Sequence, residues 1–173
     1  MRSPYKPKKY SRRDFIFSLV NRYRSDAFWG ESTGFDPGTR EVDQLIKEGS
    51  FAKGAELLED IVQQRPDHIQ ARQKLAYCYL QTERPQQAVN EFKKILQRGR
   101  EDNFTFLYLG LALAKQGRLQ EAVEAWKSYF NVDRPLIQRA INLQIALFDS
   151  GASTPEDMVQ SIEEAIEEQK SRG

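Results

Sequence analysis

The residues able to do covalent or acid–base chemistry are few, and their spacing does not assemble them. Cys78 is the one cysteine and His68 the one histidine in 173 residues. A thiolate nucleophile needs a neighbouring base or cation. No histidine accompanies Cys78 in the helical pattern, so it reads as a buried structural thiol. A lone cysteine also excludes an intramolecular disulfide, and a lone histidine leaves no His-based metal site. His68 follows Pro66-Asp67 and reads as a surface loop residue. Glu163-Glu164 and Glu167-Glu168 recur one helical turn apart and read as a solvated helix face, not as a carboxylate pair for proton transfer. The glycines stand singly between apolar runs, unlike a phosphate-cradling loop. The expectation is a non-enzyme with no catalytic residue, no metal, no cofactor and no small-molecule substrate.

What remains is apolar surface and charge. With 39% apolar residues the chain can form one domain with a real core. Lys plus Arg (26) nearly cancels Asp plus Glu (25), so net charge does not point to nucleic acid. The distribution is uneven. Residues 1–29 carry eight basic side chains against Asp14 and Asp26, a local net of +6, and the rest is mildly acidic. No apolar run approaches the roughly 20 residues of a membrane span. Strand-type alternation is nearly absent, so the fold class is all-α.

The basic arm spans residues 1–34. Pro4 and Pro7 keep its start extended. Ser11 and Asp14 have the spacing of a capping box. The stripe that follows, Phe15, Ile16, Leu19, Val20, Tyr23 and Ala27, predicts an amphipathic helix flanked by Arg12, Arg13, Arg22 and Arg24. Gly30 to Gly34 reads as a linker. Ser11-Arg12-Arg13-Asp14-Phe15-Ile16 looks like a twin-arginine export motif. Its apolar run is six residues, however, and a signal peptide needs about 7–15 and a small-residue cleavage site. The expected location is cytoplasmic, with membrane-associated or exported and organellar locations as alternatives. Three roles suit the arm: packing on the chain's own repeats, docking into a partner, or lying on an anionic membrane surface. The residues expected to dock are Arg12, Arg13, Phe15, Ile16, Leu19, Val20 and Tyr23.

The remainder repeats every 34 residues, as units 35–68, 69–102, 103–136 and 137–169 with a tail at 170–173. The clearest unit holds Phe106, Leu109-Gly110, Leu113, Gly117, Ala122, Trp126 and Tyr129. The second holds Leu75-Ala76, Tyr79, Ala88, Phe92 and Ile95, with Pro85 opening its second helix and Glu83-Arg84 at the turn in place of a glycine. The first is good only in its second half (Gly49, Phe51, Gly54, Leu58, Ile61, Pro66), with Val42 and Leu45 as the core of a short first helix. The fourth has Leu143, Leu147 and Gly151. Met158, Ile162, Ala165 and Ile166 then fall on core positions after a two-residue insertion, behind a Thr154–Asp157 capping box around Pro155. These residues resemble the tetratricopeptide repeat: a large residue at position 4, Leu at 7, a small residue at 8, a large one at 11, Gly at 15, Ala at 20, an aromatic at 24, Ala at 27 and Pro at 32. Degenerate end units are expected of such arrays. The resemblance implies a right-handed α-solenoid of three to four helix pairs, preceded by the basic amphipathic helix. It also implies close helix approach where Ala76 meets Ala88 and Gly110 meets Ala122, with Phe92 and Trp126 filling the space between successive units. Cys78 falls at position 10, usually a small core residue.

Family geometry further implies a concave face built from positions 2, 5, 9 and 12 of each first helix. Carried over, these are Gln70, Gln73, Tyr77 and Leu80, then Phe104, Leu107, Leu111 and Ala114, then Gln138, Ile141, Ile145 and Phe148. Chaperone-binding members hold a carboxylate with Lys and Asn on this face. Thr39 and Asp43 stand at those first-unit positions here, so that clamp is absent. The wall is apolar and suits the stripe of an amphipathic helix, from another protein or from the chain's own Phe15–Tyr23 segment. Cover by the fourth unit or by a second copy is the remaining possibility. The expected function is a protein–protein adaptor or assembly subunit. The groove residues committed to it are Gln73, Tyr77, Leu80, Phe104, Leu107, Leu111, Ile141, Ile145 and Phe148. A membrane-surface recruiter is the alternative. An RNA-associated role is disfavoured because the body is acidic and shows no stacking platform.

Overall fold

The computed structural model describes residues 39–172; the arm, with its Ser11–Asp14 capping box, its amphipathic stripe and its docking residues, lies outside the described residues. Within them are eight α-helices and no strand. They are α1 (Arg40–Lys47), α2 (Phe51–Gln64), α3 (Ile69–Gln81), α4 (Pro85–Gln97), α5 (Asn103–Ala114), α6 (Leu119–Lys127), α7 (Pro135–Asp149) and α8 (Pro155–Ser171). Successive helices pair, and each of α2, α4 and α6 also packs on the first helix of the next pair. That is the α-solenoid expected of these repeats.

Local sequence explains the helix starts. Pro85, Pro135 and Pro155 open α4, α7 and α8, where a missing N–H costs nothing. The Asp102 carboxylate accepts from the Thr105 amide at 2.8 Å at the start of α5. At α8 the Asp157 amide donates to the Thr154 hydroxyl oxygen at 3.1 Å, and that hydroxyl donates to the Asp157 carboxylate at 2.8 Å. His68, expected as a surface loop residue, is half-buried, and its Nδ1 accepts from the Ala71 amide at 3.2 Å, capping α3. The pattern of apolar residues carries no trace of that cap.

The turns differ as the sequence implies. Gly49, Gly117 and Gly151 adopt φ near +70°, which a residue without Cβ takes freely. The second pair has no such glycine, and Glu83 takes φ 55° itself. An L side chain in that region costs about 1–2 kcal/mol. The Glu83→Gly variant should therefore gain about 0.5–1 kcal/mol after the larger entropy loss of glycine is counted. Urea denaturation followed by circular dichroism checks this; a lower midpoint would show that the half-exposed pairing of Lys115 with Glu83, 3.5 Å apart, outweighs the strain.

One close approach differs from expectation. A Cβ on Gly110 would sit 2.2 Å from Nε1 of Trp126. The nearest neighbour of Gly110 is thus the indole one turn beyond Ala122. Trp126 is fully buried, and its N–H donates to the Leu107 carbonyl at 3.1 Å. The aromatic lies over its own partner helix, and the small residue exists to make room for it.

The last pair departs from the repeat. α8 packs on α7, as a second helix should, but its other main partner is α5, a first helix. In the earlier pairs the second helices form the outer layer and the first helices the inner one. α6 already fills the outer side between α5 and α7, so α8, which packs on both but not on α6, lies on their inner side. Met158, Ile162, Ala165 and Ile166 are buried, as their spacing predicts. Leu143, a predicted core position, is instead 52% exposed, because no helix among the described residues covers that side of α7.

Candidate protein-binding groove

The inner wall is built from aromatic side chains at helical spacing. Phe104 and Tyr108 stand one turn apart on α5, with ring centroids 4.6 Å apart. Tyr77 of α3 meets Tyr108 edge-on at 5.2 Å, and Phe51 of α2 meets Tyr77 edge-on at 5.9 Å. Such pairs contribute about 0.5–1.5 kcal/mol each beyond the area they bury, so the wall is a rigid apolar surface crossing three helices.

The groove residues read from the sequence fall into three groups. Tyr77, Leu80, Leu107, Leu111 and Ile141 are buried, Leu107 and Leu111 to 3% and 2% exposure. Phe104, Ile145 and Phe148 are half-buried against the same core. Gln73 is committed elsewhere: its amide donates to the Asp102 carboxylate at 2.9 Å and to the Thr105 hydroxyl at 3.2 Å, tying α3 to the cap of α5. Burial raises the Asp102 carboxyl above its ordinary range, and the Thr105 hydrogen bonds oppose that shift.

The helix lying on α5 is the chain's own α8, whose Met158, Ile162 and Ile166 belong to the same buried cluster as Leu107 and Leu111. Glu163 pairs with Lys115 at the end of α5, 3.1 Å apart. Farther along α8, Glu167 is close enough to be felt by the Tyr77 and Tyr108 hydroxyls. Tyr77 is pushed up to about 12, first by burial and then by that carboxylate. Tyr108 is pushed well above its usual value for the same first reason. The remaining acidic side chains of α8 face solvent, with Glu167 paired to Lys170 at 2.6 Å.

Cys78 is fully buried, and burial pushes its thiol up to about 12, with Lys74 opposing the shift. Among the described residues no three His, Cys, Asp or Glu side chains gather as a metal site. No described helix is long and apolar enough to cross a membrane.

Two features escaped the sequence. Arg72 takes position 4 of the second unit, where the family pattern has a large residue. It is buried and ion-paired with Glu91 of α4, and its Nη2 donates to the Pro66 carbonyl at 2.7 Å. A charged residue in an amphipathic pattern reads as solvated, so only its place in the repeat register could have flagged it. The second is the bare apolar face near α7, where Phe130 (59% exposed), Val132 (66%) and Leu143 join as the large exposed apolar side chains of the described chain.

Comparison with known proteins agrees with this geometry. The tetratricopeptide repeat family matches residues 45–104 and, through a second of its repeat profiles, residues 85–129. Two solved structures are similar across nearly their whole length. MamA of strain AMB-1 superimposes with a TM-score of 0.58 at 21% identity, covering 93% of this chain and 94% of that one. MamA of strain MSR-1 gives a TM-score of 0.53 at 22% identity, covering 92% and 90%. At that identity the likeness concerns the fold. No curated protein matches the chain. Helix pairs at a 34-residue spacing, glycine turns and the matched residues agree: residues 45–129 belong to the tetratricopeptide repeat family and form a protein-interaction scaffold.

Proposed function

We propose that the chain is an adaptor or assembly subunit whose inner wall takes the apolar stripe of an amphipathic helix, while its basic arm docks to a larger partner. The observation that carries this reading is the seating of α8. Met158, Ile162 and Ile166, at i, i+4 and i+8, lie in one buried cluster with Leu107 and Leu111 of the wall. A wall that accepts one such stripe suits another of the same spacing. The arm, with Arg12 and Arg13 ahead of Phe15, Ile16, Leu19, Val20 and Tyr23, supplies a basic amphipathic segment of the type that meets an acidic surface.

Ile145 and Phe148 are the wall residues to change, because they are half-buried and their loss spares the centre of the fold. The tagged full-length chain carrying Ile145→Glu and Phe148→Glu should lose its helix-donating partner in co-purification with mass spectrometry. The chain lacking residues 1–30 should keep that partner and lose the larger one. A folded double variant that retains every partner of the unmodified chain defeats the groove assignment.

A further inference from the structure

We propose that α8 has two seats, an inner one on α5 and an outer one on the bare face of α7, and that moving outward opens the groove to a partner helix. The inference rests on the groove-binding reading for its purpose, but not for its geometry.

Three observations converge. The first is topological. α2, α4 and α6 each bridge consecutive first helices from the outer side, whereas α8 bridges α5 and α7 from the inner side. Among the described residues, no helix takes the outer place that a regular second helix would occupy after α6. The face of α7 turned that way carries Leu136, Ala140, Leu143 and Leu147, at i, i+4, i+7 and i+11, the spacing of one helix face. Leu143 is exposed there, and Phe130 and Val132 lie exposed in the connection just before α7.

The second is register. Met158, Ile162 and Ala165 stand, after the two-residue insertion, where the third unit has Ala122, Trp126 and Tyr129. The stripe buried on the inner side is therefore also the stripe a regular outer helix would present to Leu143 and Leu147. One set of apolar residues serves both seats, so moving between them exchanges buried surface rather than losing it.

The third is that the inner seat is imperfect. Gln144 of α7 is 4% exposed, and its side-chain oxygen has no hydrogen-bond partner. The Tyr108 hydroxyl and the Ser153 hydroxyl are likewise buried without partners. Unpaired buried polar atoms weaken the state that holds them. The connection Gly151–Thr154, with Gly151 at φ +74°, supplies a residue free to change backbone direction. The inner seat is held by the Lys115–Glu163 pair and by the Gln169 side-chain oxygen, which accepts from the Leu136 amide at 3.1 Å.

Spin labels test this on the full-length chain. Glu124 on α6 and Gln160 on α8 are exposed and accept labels, while buried Cys78 does not. In the outer seat α6 and α8 lie on the same side of the array, as successive second helices do; in the inner seat the layer of α5 and α7 separates them. The unmodified chain should give mainly the long distance. Lys115→Glu sets two like charges against Glu163, and Glu163→Lys does the same against Lys115; either should raise the short-distance fraction several-fold. Adding Leu143→Glu, harmless to the inner seat because Leu143 is exposed in it, should abolish the short component. An unchanged single distance in both charge variants overturns the proposal. So does a broad distribution insensitive to Leu143→Glu, which would mean that α8 detaches without reseating. A short component that disappears on dilution with unlabelled chain assigns the bare face to a second copy and also overturns it. None of these readouts involves a partner, so failure of the groove assignment in co-purification is a separate result.

Discussion

Gly110→Ala is expected to lower stability by about 1–3 kcal/mol, although alanine is the better helix former. The intrinsic gain is about 1 kcal/mol. Against it, the new methyl would lie 2.2, 2.5 and 2.6 Å from three atoms of the Trp126 indole. That ring is fully buried and cannot swing into solvent. It must shift as a body, which costs about 1–3 kcal/mol by overpacking, and its N–H loses alignment with the Leu107 carbonyl, worth about 1 kcal/mol more. Urea denaturation followed by circular dichroism checks the value. A double variant, Gly110→Ala with Trp126→Leu, isolates the cause: its loss should fall well short of the two single losses added together. Additive losses would show that the methyl clashes elsewhere. Leu107 and Leu111 flank Gly110 on the same helix, so a displaced α5 should also disturb the inner wall.

Arg72→Ala is expected to cost about 3 kcal/mol, the lower part of the range for removing one partner of a buried ion pair. The substitution leaves Glu91 buried, while Lys94, 2.6 Å from its other oxygen and half-exposed, continues to neutralise part of its charge. It also frees the Pro66 carbonyl, which Arg72 holds at the entry to α3. The pair itself is not a source of net stability, since bringing two charges out of water offsets most of their attraction. Arg72→Met with Glu91→Leu should therefore recover the loss and be neutral to about 4 kcal/mol more stable than the unmodified chain. Denaturant midpoints of the three chains decide this. A double variant as unstable as Arg72→Ala would mean that the Pro66 hydrogen bond, not the charge, carries the effect.

The repeats were legible because their pattern rests on short-range facts. Glycine turns, prolines at helix starts and the small-residue and aromatic spacing of Ala76, Ala88, Phe92 and of Gly110, Ala122, Trp126 are read in one dimension. They settle which residues form helices and which of them are buried. The wall was legible for the same reason: once helices pair in register, Tyr77, Phe104, Leu107 and Leu111 must share a side. Arg72 and His68 were not legible. Burial of a charge depends on a partner 19 positions away, and the cap made by His68 depends on a side-chain rotamer. Neither leaves a periodic signal.

The sequence by itself determined the tetratricopeptide repeats, the apolar character of the inner wall, and the stripe Met158, Ile162, Ala165, Ile166 that had to be buried. It did not determine against what. α8 could bury that stripe on the outer face of α7, as the repeat register implies, or on the inner face of α5, because apolar attraction is proportional to area and indifferent to direction. Only the tertiary structure decided for the inner side, leaving Leu143 exposed and the wall covered by the chain's own last helix. The pairing of Lys115 with Glu163 favours that side, and no local rule of spacing connects a residue ending α5 with one in the middle of α8.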